Sequence, residues 1–274
     1  MTAQRMTNDL EDTMTLKDTL KTTGQPKRVS LEVCANSVTS AVAAQEGGAV
    51  RVELCENLKE GGTTPSQGQI LMARSLLHIQ LFVLIRSRAG DFLYTDLEYQ
   101  VMLADIRYCI EAGCDGVVIG ILNADGTIDK PRCLEMVRLA KQWGLKVTFH
   151  RAFDMCKDLY QALEDVIEIG CDRILTSGGK STAMEGATVL NHLVEKAAGR
   201  ISIMPGAGVS EANVADLVHF TGVTEVHSSA RVPVQSKMQY KNDHILMSDV
   251  PGDEFSTDLT SVDRVKKLIE LANS

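Results

Sequence analysis

From Val29 onward the chain alternates between two hydrophobic periods. Short apolar, β-type runs recur eight times: Val29–Cys34, Val50–Cys55, Ile79–Arg86, Gly116–Leu122, Leu145–His150, Arg173–Ser177, Ile201–Pro205 and Glu225–Ser228. Between them apolar residues return every three or four positions, as a helix face requires. These helical stretches are Val38–Glu46, Ser66–Leu77, Leu97–Ala112, Arg132–Trp143, Leu159–Ile169, Met184–Ala198 and Glu211–Phe220, with Val262–Ala272 closing the chain. Leu97-Val101-Ala104-Tyr108 and Leu134-Val137-Ala140 each read as one buried face. Start and stop signals agree with the pattern: Asp129 precedes Lys130-Pro131, Ser210 precedes Glu211, and Gly113, Gly144, Gly170, Gly199 and Gly222 follow helices. Strands alternating with helices imply βαβ units and a parallel sheet. Eight such units predict a single-domain α/β protein, a (β/α)8 TIM barrel over residues 29–274. An open doubly wound sheet would place a Gly-rich turn after its first strand, where this chain has Cys34-Ala35-Asn36-Ser37. Residues 1–28 are polar without an apolar face and read as a flexible leader. Ala230–Thr260 shows no period, and its place at the barrel mouth suggests a lid.

Composition narrows the partners. The 274 residues carry 28 Lys+Arg against 36 Asp+Glu, a formal net charge of −8. That balance argues against a nucleic-acid or anionic-membrane surface. Aromatic residues make up 4 %, too few for base-stacking platforms. No apolar run approaches the ~18 residues of a membrane span. The seven cysteines (34, 55, 109, 114, 133, 156 and 171) form no CxxC pair and leave an odd thiol. A disulfide framework is therefore not expected, and a cytoplasmic protein with reduced thiols is. The acids of the N-terminal segment are also unlike a signal or transit peptide.

Barrel active sites lie where the strands end. Those ends offer Glu32 and Cys34, Glu53 and Cys55, Arg86 and Arg88, Thr148 and His150, and Glu225, His227 and Ser228. Residues two apart on a strand share a face, so each Glu lies below its Cys and both point inward. Interior carboxylates need partners, and Arg86, Arg88 and Arg151 are the candidates. Cys34 and Cys55 end consecutive strands in matching patterns, Leu-Glu-Val-Cys and Val-Glu-Leu-Cys. Strands ~4.8 Å apart would let both sulfurs reach one soft ion such as Cu(I), with His227 as a neighbouring imidazole. Buried cysteines also simply fill strand ends, and a catalytic Cys–His pair is a third option. The other five cysteines read as packing.

A second constellation suits an anion. Ser177-Gly178-Gly179 leaves strand six, Gly206-Ala207-Gly208 leaves strand seven, and Ser228 lies at strand eight. Backbone N–H groups freed by such turns cradle phosphate or carboxylate, although the glycines also serve tight turns alone. His150 is either a general acid–base group or the partner of an interior carboxylate. Glu60, before Gly61-Gly62, is a ligand clamp or only part of the turn.

The segments LEVCANS, RVELCENLKEGGTTPS, LIRSRAGDFLY, VTFHRAFDM, RILTSGG, GAGV and EVHSSAR resemble the CutC family of copper-homeostasis proteins. The likeness runs in order from about Leu31 to Asn242. It implies a (β/α)8 barrel, a cytoplasmic homo-oligomer (dimer or tetramer), and Cu(I) held by Cys34 and Cys55. The chain departs from the family at Arg86-Ser87-Arg88, where a proline usually separates the arginines, while keeping both guanidinium groups. Two functions are expected. One is copper homeostasis through Cu(I) at Cys34 and Cys55, with His227 alongside. The other is a TIM-barrel enzyme acting on a phosphorylated or carboxylated small molecule, with Glu32, Glu53, Arg86 and His150 as the reacting or charge-stabilising groups.

Overall fold

A computed structural model describes residues 28–242, 245 and 254–274. Apart from Arg28, the expected leader lies outside the described residues, as does the middle of the expected lid. Strands and helices alternate as β1 Ser30–Ala35, α1 Val38–Glu46, β2 Arg51–Leu54, α2 Gln67–Leu76, β3 Gln80–Leu84, α3 Asp96–Glu111, β4 Gly116–Ile119 and α4 Lys130–Gln142. The second half continues with β5 Lys146–Phe149, α5 Leu159–Ile169, β6 Arg173–Thr176, α6 Ala187–Ala197, β7 Ser202–Pro205, α7 Val214–Thr221 and β8 Glu225–Ser228. A hairpin, β9 Arg231–Gln235 and β10 Ser256–Thr260, precedes α8 Val262–Ala272. The first eight strands pair in parallel in the order β7-β6-β5-β4-β3-β2-β1-β8. β7 and β8 meet through side chains, with Ser202 Oγ donating to Glu225 Oε1 at 3.2 Å, so the barrel is nearly closed. Among the described residues no helix is long and apolar enough to cross a membrane.

Local chemistry sets the element boundaries. Ser37, Ser66, Asp129 and Ser261 each accept a backbone N–H in the first turn of the helix they precede. Thr95 and Glu98 form a reciprocal capping box ahead of α3. Gly170 ends α5 at φ 91°, a left-handed conformation that favours glycine.

Alternation along each strand produces two cores. Leu31, Val33, Val52, Leu54, Leu81 and Val83 face the helices and join the main hydrophobic layer. Cys34, Cys55, Phe82, Leu84 and Val118 form a separate cluster inside the barrel.

Three local expectations are corrected. In α3 the buried face is Tyr99, Met102, Leu103, Ile106 and Cys109, whereas Leu97 and Val101 are exposed. Both stripes have helical spacing, and the sheet selects the second. Ser210 does not cap α7; its N–H donates to Asn213 Oδ1, and the helix begins at Val214. The segment after β8 is not wholly irregular, because β9 and β10 pair antiparallel from Arg231↔Thr260 to Gln235↔Ser256.

Candidate metal centre and barrel mouth

The barrel floor is built from charge. Arg51 bonds Glu32 and Glu225, and Arg173 Nε lies 2.7 Å from Glu225 Oε2. Both guanidiniums lie over the Phe82 ring, at 5.1 and 5.4 Å from its centroid. The expected interior partners, Arg86, Arg88 and Arg151, are elsewhere. Arg88 pairs with Glu98 and Asp91, and Arg151 with Asp154. Arg51 was missed although it lies two residues before Glu53 and so shares its face. Arg173, two before Leu175 on β6, follows the same rule. Burial alone would raise the Glu32 carboxyl, but Arg51, the His227 hydrogen bond and Arg173 hold it well below the usual carboxylate range.

Above this floor the strand ends converge. Cys34 Sγ lies 3.5 Å from Cys55 Sγ, and Cys55 Sγ contacts Ala35 O at 3.6 Å. His227 is tethered through Nδ1, 2.7 Å from Glu32 Oε1, and its Nε2 lies 3.7 Å from Glu53 Oε2. Ligand atoms of Cys34, Glu53 and His227 fall within 4.8 Å of one another, and all three residues are buried. Thiol, imidazole and carboxylate thus meet at one point, with Cys55 beside it. Glu53 was expected below its cysteine, and the structure brings it into the same cluster. The contact with Cys55, then burial, pushes the Cys34 thiol well up. Burial would lower the His227 imidazole, yet Cys34, Glu32 and Glu53 raise it well above its ordinary value. Burial also raises Glu53, against the pull of His227. The Cys34 thiol and the His227 imidazole therefore keep their protons, and an ion entering between them must displace protons.

A cavity of about 600 Å³ opens over the cluster. Its walls include Leu84, Arg86, Phe92, His150, Leu175, Gly208, Val209 and Ser228. His150 makes no bond to an interior carboxylate; its Nδ1 accepts the Ala152 N–H at 3.0 Å. Burial, reinforced by the Arg86 charge, drives its pKa down to about 3, so the ring is neutral. Arg86 spans the loop after β2, donating to the carbonyls of Glu60 at 3.0 Å and Gly62 at 2.5 Å. Glu60 thus contributes its backbone rather than its exposed side chain.

The turn after β6 is already filled from within. Asp154 accepts from Ser177 N and Gly179 N at 3.0 Å and from Thr176 Oγ1 at 2.5 Å, while Gly178 N donates to Thr176 Oγ1. Gly206 N is committed to Thr176 O, and Ser228 Oγ donates to Val209 O. Of the residues expected to hold an anion, Gly208 and Ser228 line the cavity.

Comparison with known proteins points the same way. The CutC family profile matches residues 29–232. A CutC protein of Bacteroides fragilis is 49 % identical over 250 residues, covering 90 % of this chain and 99 % of its own. One of Chromobacterium violaceum is 50 % identical over 240 residues, covering 88 % and 96 %. Among solved structures, a Streptococcus agalactiae protein assigned by name to copper homeostasis, CutC, superposes with a TM-score of 0.70 at 36 % identity. That alignment covers 73 % of this chain and 98 % of the other. Fold, strand-end residues and sequence relatives agree: the chain belongs to the CutC family.

Proposed function

We propose that the protein serves copper homeostasis by binding Cu(I) between Cys34 and Cys55, with His227 as the nitrogen donor. What supports this reading is the 3.5 Å separation of the two sulfurs beside an oriented imidazole. Metal–thiolate bonds of about 2.3 Å would put both sulfurs on one ion at an angle of roughly 100°, leaving room for a third ligand. Soft thiolates favour Cu(I), and the Glu32–His227 contact is the kind of outer-shell bond that fixes a ligating histidine. All seven thiols are free, in keeping with a reducing cytoplasm. In the same reading the chain forms a homo-oligomer, for which exposed Leu71, Leu97 and Val101 supply apolar surface. X-ray absorption at the copper edge tests the site: the loaded protein should show two sulfurs and one nitrogen, and Cys34→Ser should no longer hold copper. A sulfur-free spectrum contradicts the reading.

The cavity above the cysteines, about 600 Å³, is larger than an ion requires and favours a second reading. In it the protein is an enzyme acting on a phosphorylated or carboxylated small molecule, with Glu53 moving protons beneath the ligand and the ionised Glu32 stabilising charge. Measured turnover abolished by Glu53→Gln would support it, and full turnover in that variant would oppose it.

A further inference from the structure

Arg86 is 5 % exposed, and among the described residues no carboxylate pairs with it. The contrast with the other buried arginines is plain, since Arg51 and Arg173 are both neutralised by glutamates. The Arg86 Nη atoms donate to the carbonyls of Glu60, Gly62 and Gly90, which orient the group without cancelling its charge. Its Nε–H is buried without an acceptor in hydrogen-bond geometry, and the Tyr94 hydroxyl close to the guanidinium is likewise unpartnered. Tyr94 is no counter-charge, because burial raises its hydroxyl pKa and keeps it protonated.

His150, also 5 % exposed, repeats the pattern. Because Nδ1 accepts from Ala152, the ring proton sits on Nε2, and that buried N–H has no partner either. Phe92 packs against both groups, 5.2 Å from the Arg86 guanidinium and 5.1 Å from the His150 ring. Gly120 admits the ring, since a Cβ there would sit 2.5 Å from His150 Cε1. Two rigidly held orphan donors and one uncompensated positive charge therefore line a single cavity. A buried donor without an acceptor and a buried charge without a partner are both costly, and clusters of them mark sites built for a ligand.

We propose that the barrel mouth binds a small organic oxyanion, a carboxylate or a phosphate monoester, whose oxygens accept hydrogen bonds from Arg86 Nε–H and His150 Nε2–H. The ligand supplies the missing negative charge, and the apolar wall of Leu84, Phe92 and Leu175 covers its carbon skeleton. This site is independent of copper; it gives the enzyme reading its anchoring half and stands without turnover.

The test uses metal-free full-length protein titrated with inorganic phosphate or, separately, malonate, with affinity read by calorimetry in parent and variants and the His150 ring followed in parent protein labelled with 15N-histidine. The His150 imidazole signal should shift saturably with at least one probe, and which probe binds tighter separates phosphate from carboxylate. His150→Asn keeps an acceptor for the Ala152 N–H but lacks the aimed donor, and should weaken binding about tenfold or more. His150→Gln, whose longer side chain carries an amide N–H to the position of Nε2, should recover part of the loss. Arg86→Gln should weaken binding at least as much; if thermal melting shows that it does not fold, Arg86→Lys keeps the charge but not the planar fork and serves in its place. No response to either probe, or unchanged affinity in His150→Asn, overturns the proposal.

Discussion

Glu32 Oε1 lies 2.7 Å from His227 Nδ1, and that contact decides which edge of the imidazole meets the cysteines. The same carboxylate bonds Arg51, so the charged floor and the ligand cluster share one residue. Glu32→Gln should therefore act twice. Loss of the outer-shell carboxylate should weaken Cu(I) binding about 10–100-fold. Leaving Arg51 with Glu225 alone should lower stability by about 3 kcal/mol in denaturant unfolding. Unchanged copper affinity would mean that His227 is not a ligand.

Asp154 fills the turn after β6 where an anion was expected. Asp154→Ala strands the Ser177 and Gly179 N–H groups and removes the partner of Arg151. Unfolding should become easier by about 2–4 kcal/mol, and added formate should restore part of the melting temperature by occupying the vacated position. A melting temperature equal to the parent's would show that these bonds contribute little.

Gly120 is required by close approach. Its Cβ in Gly120→Ala would lie 2.5 Å from His150 Cε1 and 2.7 Å from Nδ1, and the Phe92 ring packs against the same imidazole at 5.1 Å. The ring must move, at an overpacking cost of about 1–3 kcal/mol. Phosphate or malonate affinity should fall with it. A variant that binds as the parent does would show that the ring has freedom to yield.

The neutral His150 makes stability depend on pH. Its pKa is about 3 in the fold against 6.5 ordinarily, lowered by burial first and by Arg86 second. Between those values the unfolded chain binds a proton that the folded protein does not, so unfolding takes up protons. The contribution is complete above about pH 6.5 and is lost as pH falls toward 3, by up to roughly 1.4 kcal/mol per unit. His150→Asn should flatten the melting temperature against pH between roughly pH 4.5 and 6.5. Identical slopes in variant and parent would mean that the ring is not held neutral.

The barrel was legible because its signals are local. The helix cap at Asp129 and the left-handed Gly170 are written within a few residues of the turns they make. The site was legible in part. Matching Glu-x-Cys patterns place Cys34 and Cys55 together, and the inward face carries Glu53 with them. Arg51 obeys the same two-residue alternation, but the strand was read only from its C-terminal end. Partner choice was not legible. Nothing local distinguishes Arg86, anchored by loop carbonyls, from Arg173, which reaches past β7 to Glu225 on β8. The β9–β10 hairpin joins residues that stand from Gln235↔Ser256 to Arg231↔Thr260, more than twenty positions apart along the chain and beyond the reach of any turn signal.

The account rests on two sulfurs sharing one ion, and a competition titration of the reduced protein with Cu(I) tests this most directly. Parent and Cys156→Ser proteins should bind one Cu(I) with equal affinity, since Cys156 lies outside the cluster. Cys34→Ser and Cys55→Ser should each lose that site while remaining folded. If either serine variant binds Cu(I) as tightly as the parent, the two-cysteine site is wrong.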